Sequence, residues 1–214
     1  MFDVLVNGFV TLFVILDPLA LVPLFLALTA GASVAERRRT ALRASIIAGC
    51  ILALFGLAGL AVLSGLGITL GAFRVAGGLF LFFIGFELVF ERRGERKAKS
   101  AQGAAEEPEA DIAAFPLAIP LLAGPGAISA TILLSGSLPT LAGKAGLLLV
   151  ITVAAAISFV VLAEAHRIDR FLGPTSRAVI SRLLGVLLAA LAVQFIADGV
   201  AQLTGSSGQI VASH

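Results

Sequence analysis

The chain has 214 residues, of which 59% are hydrophobic and 13% are charged, and its formal net charge is only +2. A soluble domain of this size does not need so much apolar surface, and so small a net charge argues against a nucleic-acid-binding surface. The apolar runs are long and continuous rather than alternating in short segments, which also argues against a membrane β-barrel. The composition therefore predicts an all-α protein with several transmembrane helices.

The first apolar run, residues 4–28, is long enough to cross a bilayer, but Asp17 and Pro18 stand at its middle. Proline lacks a backbone N–H, and an Asp-Pro pair is a typical helix start, with Asp as the N-cap. A carboxylate at this depth is costly unless it finds a partner or water. The pattern predicts two half-helices meeting near Asp17; the alternative is a kinked, lipid-facing helix with Asp17 buried against a neighbour.

Five further spans follow in the sequence. Between the third and the fourth lies a polar, unpatterned stretch that we expect to be unstructured. The predicted spans are residues 44–66, 73–90, 112–134, 144–165 and 178–203.

Basic residues predict the orientation of the chain. The links after spans one, three and five carry most of the Lys and Arg residues, whereas the opposite side has only Arg74 and Lys144 near its edge. The positive-inside rule places the three basic links in the cytoplasm. Both termini are then expected on the outer, periplasmic face.

An internal repeat relates the two halves of the chain. The fourth span is interrupted by Gly124-Pro125-Gly126, and a shift of about 107 residues places Asp17-Pro18 on Gly124-Pro125. The same shift places Glu87 on Gln194 and, off by one, Arg74 on Arg182. With three spans in each half, the halves are inverted, and paired interrupted spans are typical of a secondary transporter's binding site. The predicted organisation is a first repeat (1–91), a cytoplasmic linker (92–111), a second repeat (112–204) and a periplasmic tail (205–214).

The two interruptions favour binding of a zwitterion. A half-helix that begins at a proline presents N–H groups without intrahelical partners to an anion. Helix prolines also free carbonyls one turn upstream, and these carbonyls with Asp17 suit an ammonium group or a coupling ion, H+ or Na+. Small residues near the second interruption are expected to leave space for the ligand. The predicted substrate-binding residues are Asp17, Pro18, Leu19, Gly124, Pro125, Gly126, Ala127 and Ser129, and the further helix breaks are Pro23, Pro116 and Pro120.

Other polar residues in the spans are candidates for the pathway or for gating, each with a structural alternative. Hydrogen bonds across helices would also explain Asn7 and Thr11, and anchoring at the membrane interface would explain the two arginines. Half-exposed helix ends would explain Glu87 and Gln194. We expect no metal, no cofactor and no enzymatic activity, because no H-E-x-x-H or G-x-S-x-G motif occurs. A channel remains an alternative. The candidates are Asn7, Thr11, Arg74, Arg182, Glu87 and Gln194.

Three stretches carry a family resemblance: residues 17–23, 73–78 and 115–126. They resemble the signature stretches of the MarC family, which includes SnatA-type transporters of small neutral amino acids. The resemblance extends over residues 9–202. It implies a six-span protein of the bacterial inner membrane that moves glycine, alanine or similar amino acids as small-molecule substrates; the alternative is a channel or exporter for another small solute.

Overall fold

The computed structural model describes residues 2–90, 92 and 111–211, and within these residues the chain is almost entirely helical and contains no strand. We number the helices in chain order. They are α1 (Phe2–Leu16), α2 (Pro18–Leu28), α3 (Val34–Gly65), α4 (Leu70–Val89), α5 (Ala113–Leu122), α6 (Pro125–Ser137), α7 (Leu141–Ala163), α8 (Ala165–Phe171) and α9 (Pro174–Val211).

The spans agree with the predicted fold class. In the described residues, five helical stretches are long and apolar enough to cross a membrane, and the first of them joins α1 and α2 as Asp3–Leu28. Helices α5 and α6, which meet at a bend of 58°, form a sixth span if they are counted together. The protein is therefore an all-α membrane protein, as its composition predicts.

Several predicted boundaries are wrong because local capping, rather than hydropathy, decides where a helix begins. Helix α3 starts at Val34 and not at residue 44, since Ser33 and Glu36 form a capping box. Helix α7 starts at Leu141 because Thr140 caps it. Helix α9 begins at Pro174 and continues to Val211, so it is longer at both ends than the predicted span of residues 178–203. Apart from residues 92 and 111, the predicted linker lies outside the described residues.

Helices α4 and α9 pack against each other through small residues. A methyl group added at Gly85 would lie 2.8 Å from the carbonyl oxygen of Gly185, so the two backbones are almost in contact. The contacts recur every seven residues, and the residue numbers rise along α4 while they fall along α9, so the two helices are antiparallel. The three contacts are Gly71 with Gly199, Gly78 with Ala192, and Gly85 with Gly185.

The other spans pair in the same way. Gly49 and Gly56 of α3 meet Ala155 and Leu147 of α7, and Gly8 and Ile15 of α1 meet Leu134 and Gly126 of α6. The numbering runs in opposite directions in each pair, so spans one and four, two and five, and three and six are antiparallel partners. An inverted repeat predicts this pairing, although the repeat itself stays a prediction.

We expect Gly85→Ala to destabilise the protein. A β-carbon there meets the backbone of Gly185, which cannot move aside as a side chain can, so α4 and α9 must separate. Overpacking of this kind costs about 1–3 kcal/mol, more than the roughly 1 kcal/mol that alanine gains over glycine in a helix. The measurement is the thermal-unfolding midpoint in detergent.

The control is Gly65→Ala, where nothing lies within 4 Å of the added carbon. If Gly85→Ala unfolds at the same temperature as this control, α4 and α9 do not pack this closely.

Candidate functional site

Asp17 forms the first interruption. It separates α1 from α2 with a left-handed backbone (φ 46°, ψ 60°), which Asp tolerates better than most residues. Its Oδ1 accepts a hydrogen bond from the N–H of Ala20 at 3.4 Å, and Pro18 occupies the first turn of α2. The predicted N-cap and helix start are thus confirmed, although the two halves remain aligned as one 26-residue span.

The carboxylate of Asp17 is buried without a full set of partners. The residue is 3% exposed, and its Oδ2 has no hydrogen-bond partner in the described structure. Burying a charged oxygen without a donor or a cation costs several kcal/mol. Asp17 therefore has the means to bind one more group, and a cation is the group that a carboxylate binds best.

The second interruption lies between α5 and α6. Helix α5 is irregular, because Phe115 and Ile119 are extended and each precedes a cis proline. The N–H of Ala123 donates to the carbonyl of Ala118, five residues earlier, whereas an α-helical N–H donates to the residue four earlier. Helix α6 then starts at Pro125 after Gly124. The predicted break at Gly124-Pro125 is present.

The two prolines of α5, Pro116 and Pro120, lie in irregular backbone as expected. Pro23 is different, because α2 continues through it and its side chain faces outward. The prediction of a further helix break at Pro23 is therefore wrong.

The N-termini of the two second halves differ in capping. Asp17 caps α2, whereas no side chain caps α6. The first N–H groups of α6 include those of Gly126 and Ala127, and they carry the positive end of the helix dipole. Of the two N-termini, the one at Pro125 is the better place for an anion.

The two interruptions are neighbours. A β-carbon on Gly126 would lie 3.7 Å from the side chain of Ile15, two residues before Asp17. The same carbon would lie only 2.2 Å from Ile84 of α4, and one on Gly124 would lie 2.5 Å from the Pro120 carbonyl. The expectation that these glycines leave open space is wrong in this conformation, since neighbouring groups fill it.

The remaining predicted binding residues differ in how far they are buried. Pro18 and Ala127 are buried, Leu19 and Ser129 are half-buried, and Pro125 is exposed. With Asp17, three of the six predicted binding residues that have a side chain are buried and one is exposed, so the site is largely closed to solvent.

Two of the pathway candidates contact the broken helices or lie inside the bundle near them. Thr11 is 1% exposed and donates to the carbonyl of Asn7, on the face of α1 that packs against α6 between the Gly8 and Ile15 contacts. Arg74 donates to Ser137 Oγ at 3.2 Å, at the end of α6. Arg74 therefore does more than anchor a helix at the interface.

The other candidates divide into buried and exposed. Glu87 is 5% exposed, so it is not a solvated helix end. Asn7, Arg182 and Gln194 are exposed, and Gln194 donates to Asp198 on the same helix face. The structure does not bring these three into the site.

Sequence reasoning missed Lys144 and Ser135. The ammonium of Lys144, at the start of α7, donates to the carbonyl oxygen of Ser135 at 3.1 Å and to its hydroxyl. Ser135 is fully buried and donates in turn to the carbonyl of Gly56 in α3. The signal available in the sequence was a lone lysine four residues into an apolar span.

No group of three or more His, Cys, Asp or Glu side chains in the described residues is placed to hold a metal ion. The polar groups that the structure places at the interruptions are the carboxylate of Asp17 and the N–H groups at the start of α6.

Comparisons with known proteins agree with this architecture. A match described as "MarC family integral membrane protein" covers residues 2–204. The chain is 40% identical to a UPF0056 membrane protein of Aquifex aeolicus over 198 residues, which are 92% of each chain. It is 35% identical to the UPF0056 membrane protein YvbG of Bacillus subtilis (94% of this chain, 95% of the relative).

It is also 35% identical to the UPF0056 inner membrane protein MarC of Salmonella paratyphi B (92% of this chain, 93% of the relative). No solved structure gives a significant match. The family match and these relatives all extend over nearly the whole sequence. The chain belongs to the MarC family of integral membrane proteins.

Proposed function

We propose that this protein is a secondary transporter that moves small neutral amino acids, such as glycine or alanine, across the bacterial inner membrane by alternating access. The observation that carries the proposal is the buried, incompletely partnered carboxylate of Asp17, in a break where Ile15, two residues earlier, packs against Gly126 at the uncapped start of α6. A zwitterion needs an anionic and a cationic site close together, and these two features provide them.

We base the orientation of the substrate on the difference in capping between the two half-helices. Asp17 already occupies the N–H of Ala20, so the start of α2 is less available to a substrate carboxylate. The carboxylate then binds at the start of α6, and the ammonium group, or a coupling H+ or Na+, binds at Asp17. In secondary transporters, the N-terminus of a half-helix in an interrupted span commonly binds the carboxylate of the substrate.

The packing of the site favours a transporter over an open channel. Ile84 fills the space beside Gly126, and Ala127 is 1% exposed, so the site is closed in this conformation. A closed site between two antiparallel broken spans suits a mechanism in which each side opens in turn.

Uptake and counterflow in proteoliposomes test the proposal. Labelled glycine and alanine should enter with saturable kinetics and exchange against the same unlabelled solute inside, whereas leucine and glutamate should not. Flux that does not saturate and shows no counterflow would identify a channel instead. No flux of any small neutral amino acid would refute the assigned substrate class.

The predicted orientation has its own test. A reporter that is active only in the periplasm should be active when fused after His214, and a cytoplasmic reporter should be active when inserted at Gln102, because the basic links remain in the cytoplasm. The reverse pattern would show that the count of Lys and Arg residues assigns the sides wrongly.

A further inference from the structure

Two cations occupy equivalent positions in the two halves of the chain. Arg37 and Lys144 are 107 residues apart, which is the spacing of Asp17 and Gly124. The N-caps Ser33 of α3 and Thr140 of α7 have the same spacing. Each cation therefore lies in the fourth position of the helix that follows a broken span.

Lys144 forms hydrogen bonds with the C-terminal end of α6. Its ammonium donates to both the carbonyl and the hydroxyl of Ser135, and the Ser135 hydroxyl donates to Gly56 of α3. Two residues later, Ser137 accepts a hydrogen bond from Arg74 of α4. The end of α6 is thus held by three other helices.

Arg37 makes the corresponding contact at the end of α2. Its Nε donates to the carbonyl of Thr29 at 3.3 Å, and Thr29 is the 4% exposed C-cap of that helix. Arg37 is half-buried, whereas its neighbours Arg38 and Arg39 are exposed. Of these three arginines, Arg37 is the one whose donation to α2 the structure records.

Neither cation suits the helix to which it belongs. A positive charge in the first turns of α3 or α7 is opposed by the dipole of that helix, whereas the same charge stabilises the C-terminal end of the helix before it. A local electrostatic rule is broken at the same position in both halves. The benefit of each cation therefore goes to the preceding broken span.

We propose that Lys144 and Arg37 are equivalent latches on opposite sides of the membrane, and that releasing one of them opens the site to its own side. The proposal rests on the alternating access of the proposed function. Lys144 makes two hydrogen bonds to a residue that is itself anchored, and Arg37 makes one long bond, so the latch at Lys144 is the tighter of the two here.

Two buried alanines provide matched probes of opening. Ala130 of α6 lies between the Gly126 and Leu134 contacts with α1, on the Lys144 side, and is 0% exposed. Ala118 of α5 lies between the second interruption and Asp111, whose carboxylate pairs with Arg43 on the Arg37 side, and is also 0% exposed. Each is changed to cysteine in a Cys50→Ser background, since Cys50 is the one cysteine of the chain.

The measurement is the rate at which a charged methanethiosulfonate modifies each cysteine in nanodiscs, where both faces of the protein contact the buffer. Lys144→Met should speed modification at Ala130→Cys about tenfold, because a charge-assisted hydrogen bond is lost, and should not speed it at Ala118→Cys. Arg37→Met should speed modification at Ala118→Cys and should not speed it at Ala130→Cys. Ser135→Ala should act like Lys144→Met but less strongly, and Lys144→Arg should restore slow modification.

The control is Arg38→Met, which removes an exposed arginine beside Arg37 and should change neither rate. If either latch variant changes both probes in the same direction, or changes neither, the residue only holds the fold together and the proposal is wrong. The readout needs no substrate. If each latch variant speeds modification only at its own probe but no amino acid is taken up, the latches are supported and the proposed substrate class is refuted. If amino acids are taken up but the variants do not act on separate probes, the latches alone are refuted.

Discussion

Asp17→Asn should leave the protein folded in the membrane and reduce transport at least about a hundredfold. Asparagine keeps the side-chain oxygen that caps Ala20 and tolerates the left-handed backbone at φ 46°, so the interruption is preserved. The change removes the negative charge, and losing one partner of a buried ion pair costs about 3–5 kcal/mol. The measurement is the initial rate of labelled glycine uptake in proteoliposomes.

Asp3→Asn is the matched control, because Asp3 is an exposed carboxylate on the same broken span. It should transport like the unmodified protein, and all three proteins should elute from a sizing column alike. If Asp17→Asn transports within about twofold of the unmodified protein, the charge of Asp17 is structural or lies outside the path.

The interruptions at Asp17 and Gly124 were predictable because their causes are local. A proline has no N–H wherever it stands, and an aspartate before it caps the next helix, so the residues alone specify the break. The start of α3 also has a local cause, since Ser33 and Glu36 form a capping box. Hydropathy does not detect this start, because the first turns of the helix consist largely of charged residues.

The packing of the site depends on residues far apart in sequence. A glycine in an apolar helix either leaves a space or admits a neighbour, and only the position of Ile84 shows that Gly126 admits one. The role of Lys144 likewise depends on the return of the chain after α6, which brings its ammonium to Ser135. Neither fact follows from local pattern.

The capping difference between the two half-helices also required the structure. The sequence leaves open whether the N–H groups after Pro18 or after Pro125 bind the substrate carboxylate. Because Asp17 caps the first of these and no side chain caps the second, the start of α6 is the site we test.

Alanine should compete with labelled glycine for uptake, whereas alanine amide should compete at least about a hundredfold less well. The amide keeps the ammonium group and nearly the same size but has no negative charge for the N–H groups of Gly126 and Ala127. Hydrogen bonds to a charged acceptor are roughly twice as strong as neutral ones, and a buried site screens them poorly. A loss of a few kcal/mol corresponds to this change in affinity.

Propionate and ethylamine separate the two halves of the site. Propionate keeps the carboxylate but loses the ammonium group that binds Asp17, and ethylamine keeps the ammonium group but loses the carboxylate, so both should compete poorly. Under the rival explanation, Asp17 alone selects cations and the start of α6 is only a bend. Alanine amide and ethylamine would then compete as well as alanine does, and that result would refute the paired site. Ligands give a cleaner test here than Gly126→Leu, because a side chain at Gly126 would meet Ile84 and disturb the packing of α4 before it reached a substrate.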